Sequence, residues 1–149
     1  MIRAVILLAV FACGNDAADE AMFPADYALT YTEVRDCRRS GDHDLRFIRV
    51  LVDPVALEPY RGRSLAFPDG AIVVKEEYPL DDPTCSEMPL EWTVMRKRAG
   101  AGDQLGWDWQ RVDSERSLVE QNQPSCFGCH DPCTGSGGAS GYDHTCTDP

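Results

Sequence analysis

The sequence predicts a mainly β domain of the α+β kind, in which short helices accompany one antiparallel sheet. Two observations support this fold class. Residues with high strand propensity are concentrated in four short runs that mix apolar and charged side chains at period two, and turn formers separate these runs. Helix signals are confined to short stretches between the runs. The chain has 149 residues, enough for one hydrophobic core.

The first predicted strand covers residues 46–52, a β-branched run bounded by turn formers. Asp53 and Pro54 follow it directly. Because an aspartate is a good N-cap and a proline suits the first helical position, this pair predicts a short helix that continues to about Tyr60.

The remaining elements follow from the same reasoning. A turn at residues 68–70 leads into a second strand at residues 71–78. The third and fourth strands are expected at residues 91–98 and 107–112. Residues 113–121 are expected to form a short helix that leads into the motif described below.

The N-terminus has the pattern of an export signal. Arg3 precedes an apolar run at residues 4–12 that is too short to span a bilayer as a stable helix. The residues before Cys13 resemble a bacterial lipobox, which predicts a signal peptide at residues 1–12 and lipidation of Cys13. An ordinary signal cleaved a few residues later is the alternative. Lipidation would place the protein on the periplasmic face of a bacterial membrane through a lipid anchor, and ordinary cleavage would leave it periplasmic or secreted.

Composition divides the rest of the chain into three parts. Residues 13–29 are acidic and alanine-rich, so they are expected to be a tether, and residues 30–132 are expected to be the folded domain. Residues 133–149 form a tail rich in glycine and serine. The net charge of −11 argues against nucleic acid as a partner and against docking on anionic lipid heads.

The run CFGCH at residues 126–130 carries the clearest chemical signal. In a Cys-x-x-Cys-His motif, two thiols form thioether bonds to a porphyrin and the adjacent imidazole becomes the proximal iron ligand. The motif therefore predicts one covalently bound haem c. Cys126, Cys129 and His130 are the expected cofactor-binding residues, and His130 is the expected ligand of the haem iron.

Other uses of the cysteines are open. The two motif cysteines could join Cys133 and Cys146 in a tetrahedral zinc site, or belong to a plain disulfide cluster. If haem and lipid use three of the seven cysteines, four remain, and these allow three pairings. We expect Cys133 to pair with Cys146, closing the tail, and Cys37 to pair with Cys85. Such bridges persist in an oxidising compartment, in agreement with export.

Lys75 is unusual because it lies in an apolar strand of a chain that has only one other lysine, Lys97. At period two it shares a face with Val73 and Glu77. The pattern alone favours a solvated lysine paired with Glu77 or Glu76.

The run at residues 67–76, preceded by residues 50–54 and Tyr60, resembles the corresponding stretch of the cytochrome P-460 family. The strands at residues 92–95 and 107–109 and the Cys-x-x-Cys-His motif follow in the family's order. The resemblance implies an exported, mainly β c-type cytochrome with a five-coordinate haem, commonly a homodimer.

In the enzymes that name this family, a lysine of the matching strand is joined covalently to a meso carbon of the porphyrin, and the site oxidises hydroxylamine. Lys75 occupies that position, so the resemblance implies that it binds the cofactor and takes part in catalysis. The enzymes also place a carboxylate near the distal face as a general base. Glu120 is our candidate for this base, and Glu77 and Asp108 are alternatives.

The expected function is oxidation of hydroxylamine or a related small nitrogen compound at an open haem iron, with electrons passed to a soluble redox partner. Relatives called cytochrome c′-beta lack the cross-link and bind nitric oxide, so nitric oxide binding, or electron transfer without catalysis, is the alternative. An electron carrier would use a sixth ligand, for which Met88, Met95 or His144 is available. Met95 better fits core packing, and His43 fits a loop.

Overall fold

The structure, a computed structural model, describes residues 20–98, 100, 103–135 and 140–149. Within these ranges it contains a six-stranded sheet whose strands lie in chain order, together with a few short helices. The predicted fold class is therefore confirmed. The predicted signal peptide and Cys13 lie outside the described residues. No helix in the described part of the chain is long and apolar enough to cross a membrane.

The strands are β1 Thr32–Arg39, β2 Phe47–Val52, β3 Ile72–Tyr78, β4 Glu91–Lys97, β5 Trp107–Asp113 and β6 Leu118–Gln121. The α-helices are α1 Tyr27–Thr30, α2 Leu57–Gly62 and α3 Pro124–His130, and short 3₁₀ turns lie at His43–Leu45 and Gln104–Gly106. Each strand pairs antiparallel with the next one along the chain. The sheet is thus a meander in which neighbours in sequence are neighbours in space.

The four predicted strands correspond to β2 to β5, with ends that agree to within one residue. The helix predicted after residue 53 begins later, at Leu57. Asp53 still caps the preceding turn, because its Oδ1 accepts a hydrogen bond from the Ala56 backbone N–H at 2.9 Å. Residues 113–121 form a turn and strand β6, so the predicted helix is wrong. Pairing with β5 provides hydrogen-bond partners for the backbone of this segment. Local propensity does not predict this pairing, because it depends on a neighbouring strand.

The sheet separates two cores, because successive side chains of a strand point to opposite faces. The first face carries Val50, Val73, Met95, Trp107 and Trp109, against which Tyr60 and Phe67 pack. The second face carries Leu51, Val74, Trp92, Val94 and Val112. Glu76 and Glu77 are adjacent on β3, so their carboxylates also point to opposite faces of the sheet. Both residues are buried, with only 1% of each exposed.

On the second face, Glu76 accepts hydrogen bonds from three side chains. The Tyr78 hydroxyl and Arg49 Nε each lie 2.6 Å from its Oε2, and the Tyr27 hydroxyl binds its Oε1. The Tyr27 oxygen also accepts a hydrogen bond from Trp92 Nε1 at 2.8 Å. These donors replace the water that the buried carboxylate loses.

The described part of the predicted tether is folded against this second face. Phe23 is 2% exposed and Tyr27 is 7% exposed, and their rings pack edge to face with centroids 4.9 Å apart. The Phe23 ring also lies 5.8 Å from that of Trp92. The tether prediction is therefore wrong for residues 20–29, because two aromatic anchors can dock a short segment that has no sustained periodicity.

Both expected disulfides are present, Cys37 with Cys85 and Cys133 with Cys146. Cys126 and Cys129 are free. The zinc alternative is thereby contradicted, since two of its four thiols are bonded to each other. A plain disulfide cluster does not account for the motif cysteines either.

Candidate haem site

The Cys-x-x-Cys-His motif forms helix α3, which begins with Pro124 in its first turn. Residues three and four apart lie on one side of a helix, so Cys126, Cys129 and His130 are brought together. All three line a cavity of about 360 Å³ between the first face of the sheet, α3 and the C-terminal tail. This volume lies within the range of ligand sites, roughly 300–1,000 Å³.

The sheet wall of this cavity changes from apolar to polar along the strands. Val73, Met95 and Trp109 lie side by side in the strand register and line it. Two residues further along β3 is Lys75, which pairs with Thr93, and two further again is Glu77, which pairs with Glu91. A ligand in this cavity would therefore meet an apolar surface and a charged one.

His130 has the orientation and the protonation state of a metal ligand. Its ring packs edge to face with that of Trp109, with centroids 4.7 Å apart, and its Nδ1 lies 2.6 Å from the His144 carbonyl oxygen. Because a carbonyl can only accept, Nδ1 carries the hydrogen and Nε2 keeps its lone pair. Burial lowers the pKa of His130 to about 4, so the imidazole is neutral at pH 7.

The thiols complete the set of groups that a haem attachment site needs. Cys126 is half-buried and Cys129 is exposed at the cavity. Burial raises the pKa of the Cys126 thiol, and the charge of Glu120 raises it further. Two unpaired thiols three positions apart, followed by a neutral imidazole with a free lone pair, fit covalent attachment of a haem.

Lys75 reaches into the cavity rather than into solvent. Its Nζ lies 2.9 Å from Nε2 of His43, and burial lowers its pKa to about 8 even though the charge of Glu77 opposes that shift. The expectation of a solvated lysine paired with a carboxylate is therefore wrong. About half of such amines are neutral at pH 8, in contrast to an exposed lysine.

His43 connects Lys75 to Glu77. Nδ1 of His43 lies 2.7 Å from Glu77 Oε1, and since a carboxylate accepts, Nδ1 donates and Nε2 accepts from Lys75. Arg46 at 3.3 Å and Thr93 at 3.2 Å also donate to Glu77. Burial alone would raise the pKa of Glu77, but the His43 hydrogen bond and the nearby positive charges lower it.

The sequence placed His43 correctly in a loop but not in the site. His43 belongs to the 3₁₀ turn His43–Leu45, which precedes β2 and lies over β3. The turn thereby brings His43 into contact with Lys75, which is 32 positions further along the chain. No local pattern indicates this contact. Glu77 was an alternative base, and the structure places it in the cavity.

The other candidate bases differ in position. Glu120 lines the cavity and forms an ion pair with Arg111 at 3.0 Å. Asp108 points to the second face, where it pairs with Arg96 at 3.0 Å and Arg98 at 3.1 Å. The alternative of Asp108 as the base is therefore wrong.

The three candidate sixth ligands are placed as follows. Met88 is 72% exposed in the loop before β4. Met95 is buried in the first core, in register with Val73 and Trp109. His144 lies against His130, and its ring Nδ1–H donates to the His130 backbone carbonyl at 3.2 Å.

An antiparallel sheet with a cavity lined by the thiols and imidazole of a Cys-x-x-Cys-His helix fits the class of β-sheet haem proteins. The family model for Cytochrome P460 matches residues 24–137, more than half of the chain. The chain belongs to the cytochrome P460 family, which confirms the resemblance seen in the sequence. A search of curated proteins found no significant match.

Proposed function

We propose that the protein is an exported c-type haem protein that oxidises hydroxylamine or a related small nitrogen compound. The observation that carries the proposal is the hydrogen-bonded series Lys75, His43, Glu77, which lines the same cavity as the Cys-x-x-Cys-His residues. Membership of the cytochrome P460 family supports a haem cofactor. Cys126 and Cys129 would hold it through thioether bonds and His130 through the iron.

When bound, the haem supplies an open iron position for the substrate nitrogen and takes up the electrons released by oxidation. The protein must accept the protons that leave with those electrons. His43 is suited to this role, because Glu77 fixes its tautomer and leaves a lone pair on Nε2. A proton that arrives at Nε2 forms an imidazolium, which the adjacent Glu77 carboxylate stabilises.

Lys75 lines the cavity beside this pair. The hydrogen bond to His43 orients its Nζ, and its pKa of about 8 allows proton exchange near neutral pH. Family membership supports a second role, in which Nζ holds the porphyrin edge covalently. In that case His43 positions Nζ of Lys75 for the linkage, and the His43–Glu77 pair remains the proton acceptor.

Location and partners are further parts of the proposal. The signal pattern at residues 1–12 and the two disulfides support export to an oxidising compartment. We propose a lipid anchor at Cys13, a soluble redox partner and assembly as a homodimer. The net charge of −11 supports partners other than nucleic acid.

The test is the optical spectrum of protein from a host that attaches c-type haem, with mass analysis of its tryptic digest. We expect a Soret band far to the red of ordinary c-type haem in the reduced protein, and a Lys75 peptide joined to the haem peptide. A five-coordinate spectrum without that linkage would favour nitric oxide binding, and a six-coordinate one electron transfer. Absence of haem would overturn the proposal.

A further inference from the structure

The C-terminal tail contacts His130 at its ring Nδ1. The His130 Nδ1–H donates to the His144 carbonyl at 2.6 Å. We infer that the tail closed by the Cys133–Cys146 disulfide is a proximal strap, which positions this carbonyl and thereby sets the strength of the His130 bond to iron. The inference rests on the proposed role of His130 as the iron ligand.

Bonds within the tail fix the carbonyl relative to α3. The His144 backbone N–H donates to the Cys133 carbonyl at 2.8 Å, and the disulfide joins Cys133 to Cys146. Tyr142 and Thr145 exchange backbone hydrogen bonds of 2.9 and 2.8 Å. The chain on both sides of His144 is therefore tied to the residues that directly follow the haem motif.

Side chains of the sheet hold the same turn from the other side. Trp107 Nε1 donates to the Asp143 carbonyl at 3.0 Å. Lys97 Nζ lies 2.9 Å from both carboxylate oxygens of Asp143 and 4.7 Å from the centre of the Trp107 ring. The His144 carbonyl is thus fixed between α3 and strands β4 and β5.

The turn at residues 141–145 has a strained backbone, which the disulfide and the hydrogen bonds described above hold in place. Asp143 and His144 have φ values of 44° and 68°, in the left-handed region that is unfavourable for residues other than glycine. Gly141 has φ +83°, and a Cβ there would lie 2.6 Å from the Thr145 carbonyl oxygen and 2.8 Å from Cys133 Cβ. A turn of this kind will relax when the covalent link that closes it is broken.

The chemical consequence follows from the role of the second ring nitrogen. A hydrogen bond from Nδ1–H to a carbonyl orients a ligating histidine and makes it more basic. Reduction of the disulfide takes two electrons and two protons, for example from a phosphine and water, and yields two thiols. Release of the carbonyl should then weaken the iron–histidine bond and raise the reduction potential of the haem, because the ferric state loses electron donation.

The experiment is resonance Raman measurement of the iron–histidine stretching band in the ferrous holoprotein, before and after phosphine reduction. It uses the Cys37→Ser/Cys85→Ser variant, in which the tail disulfide is the one remaining bridge among the described cysteines. We expect the band to move to lower frequency on reduction and the reduction potential to rise. The Cys133→Ser/Cys146→Ser variant should show the same two shifts without any reductant.

Two controls separate the strap from general loosening. Cys37→Ser/Cys85→Ser before reduction should retain the parent band, although it too lacks a disulfide. His144→Asn should retain it as well, because the acceptor is a backbone carbonyl and asparagine tolerates the left-handed backbone of this position. An unchanged band and potential after verified reduction would overturn the inference while leaving the proposed function intact. Protein that carries no haem, or whose haem shows no iron–histidine band, would overturn both.

Discussion

Nε2 of His43 lies 2.9 Å from Nζ of Lys75. The second nitrogen of the same ring is bound to a buried carboxylate, Glu77, at 2.7 Å. The proton acceptor proposed for this site is therefore a coupled pair rather than a single carboxylate. The pair also lies next to Lys75, the residue that we propose as the covalent link to the porphyrin.

Glu77→Gln should lower kcat/KM for hydroxylamine by about 10²-fold or more, the usual contribution of a general base. The amide still contacts His43 but has no charge to stabilise an imidazolium. Steady-state turnover of the holoprotein with an artificial electron acceptor measures the effect. Glu120→Gln is the matched control, and we expect a loss of less than about fivefold, because its ion pair with Arg111 is partly exposed. A larger loss in Glu120→Gln than in Glu77→Gln would assign the base to Glu120.

Lys75→Arg should abolish the haem–peptide linkage and return the reduced Soret band toward that of ordinary c-type haem. Arginine keeps the positive charge but remains protonated, so it lacks the neutral amine that Lys75 has near pH 8. Mass analysis of tryptic haem peptides reads the linkage directly. Lys97→Arg serves as the control, since Lys97 pairs with Asp143. A haem peptide that is the same in both variants would show that Lys75 is not linked.

Acid should remove the stabilising effect of Glu77. Its pKa is lowered in the folded protein from an ordinary value of 4.5, so its contribution is fully present above about pH 4.5 and is lost as pH falls through the folded pKa. We expect the free energy of unfolding of the parent to approach that of Glu77→Gln below pH 4.5. Urea unfolding followed by circular dichroism between pH 3 and 7 measures both curves. Curves that stay parallel across this range would contradict the prediction.

Phe23→Ala should destabilise the fold by about 3–5 kcal/mol, as expected for removal of a buried aromatic ring. Leu29→Ala is the control, because Leu29 is six residues further along the same segment and its side chain is 88% exposed. This variant should change the free energy of unfolding by less than about 0.5 kcal/mol. Urea unfolding at pH 7 compares the two variants. Equal stabilities would mean that the segment before β1 does not belong to the folded domain.

The sequence predicted those elements whose pattern is local. The β-branched runs of β2 and β3 alternate at period two, and their boundaries were found to within one residue. Strand β1 was not recognisable, because its sequence TEVRDCRR has one aliphatic side chain among charged neighbours and its position depends on pairing with β2. Residues 118–121 are likewise a strand only because β5 is beside them.

The site shows the same division. The Cys-x-x-Cys-His motif was accessible from residue type and spacing. The place of Lys75 in the site followed from the family resemblance, because the strand pattern alone favoured a solvated lysine. The two disulfide pairs were chosen among three pairings that spacing alone leaves open. The place of His43 was not accessible from the sequence, because its partners lie on β3, more than 30 positions along the chain. The Phe23 anchor was missed for a related reason, since a single aromatic residue has no periodicity to detect.

Glu76 and Glu77 are adjacent in sequence, buried to the same extent and bound to entirely different partners. Insertion or deletion of a single residue early in β3 would exchange the two faces of the strand. Lys75 and Glu77 would then lie on the second face, against the aromatic rings of Phe23 and Tyr27. Substitutions in this strand can be tolerated one side chain at a time, whereas a change in its length would disable both faces at once. The strand's length is therefore under tighter constraint than most of its individual residues.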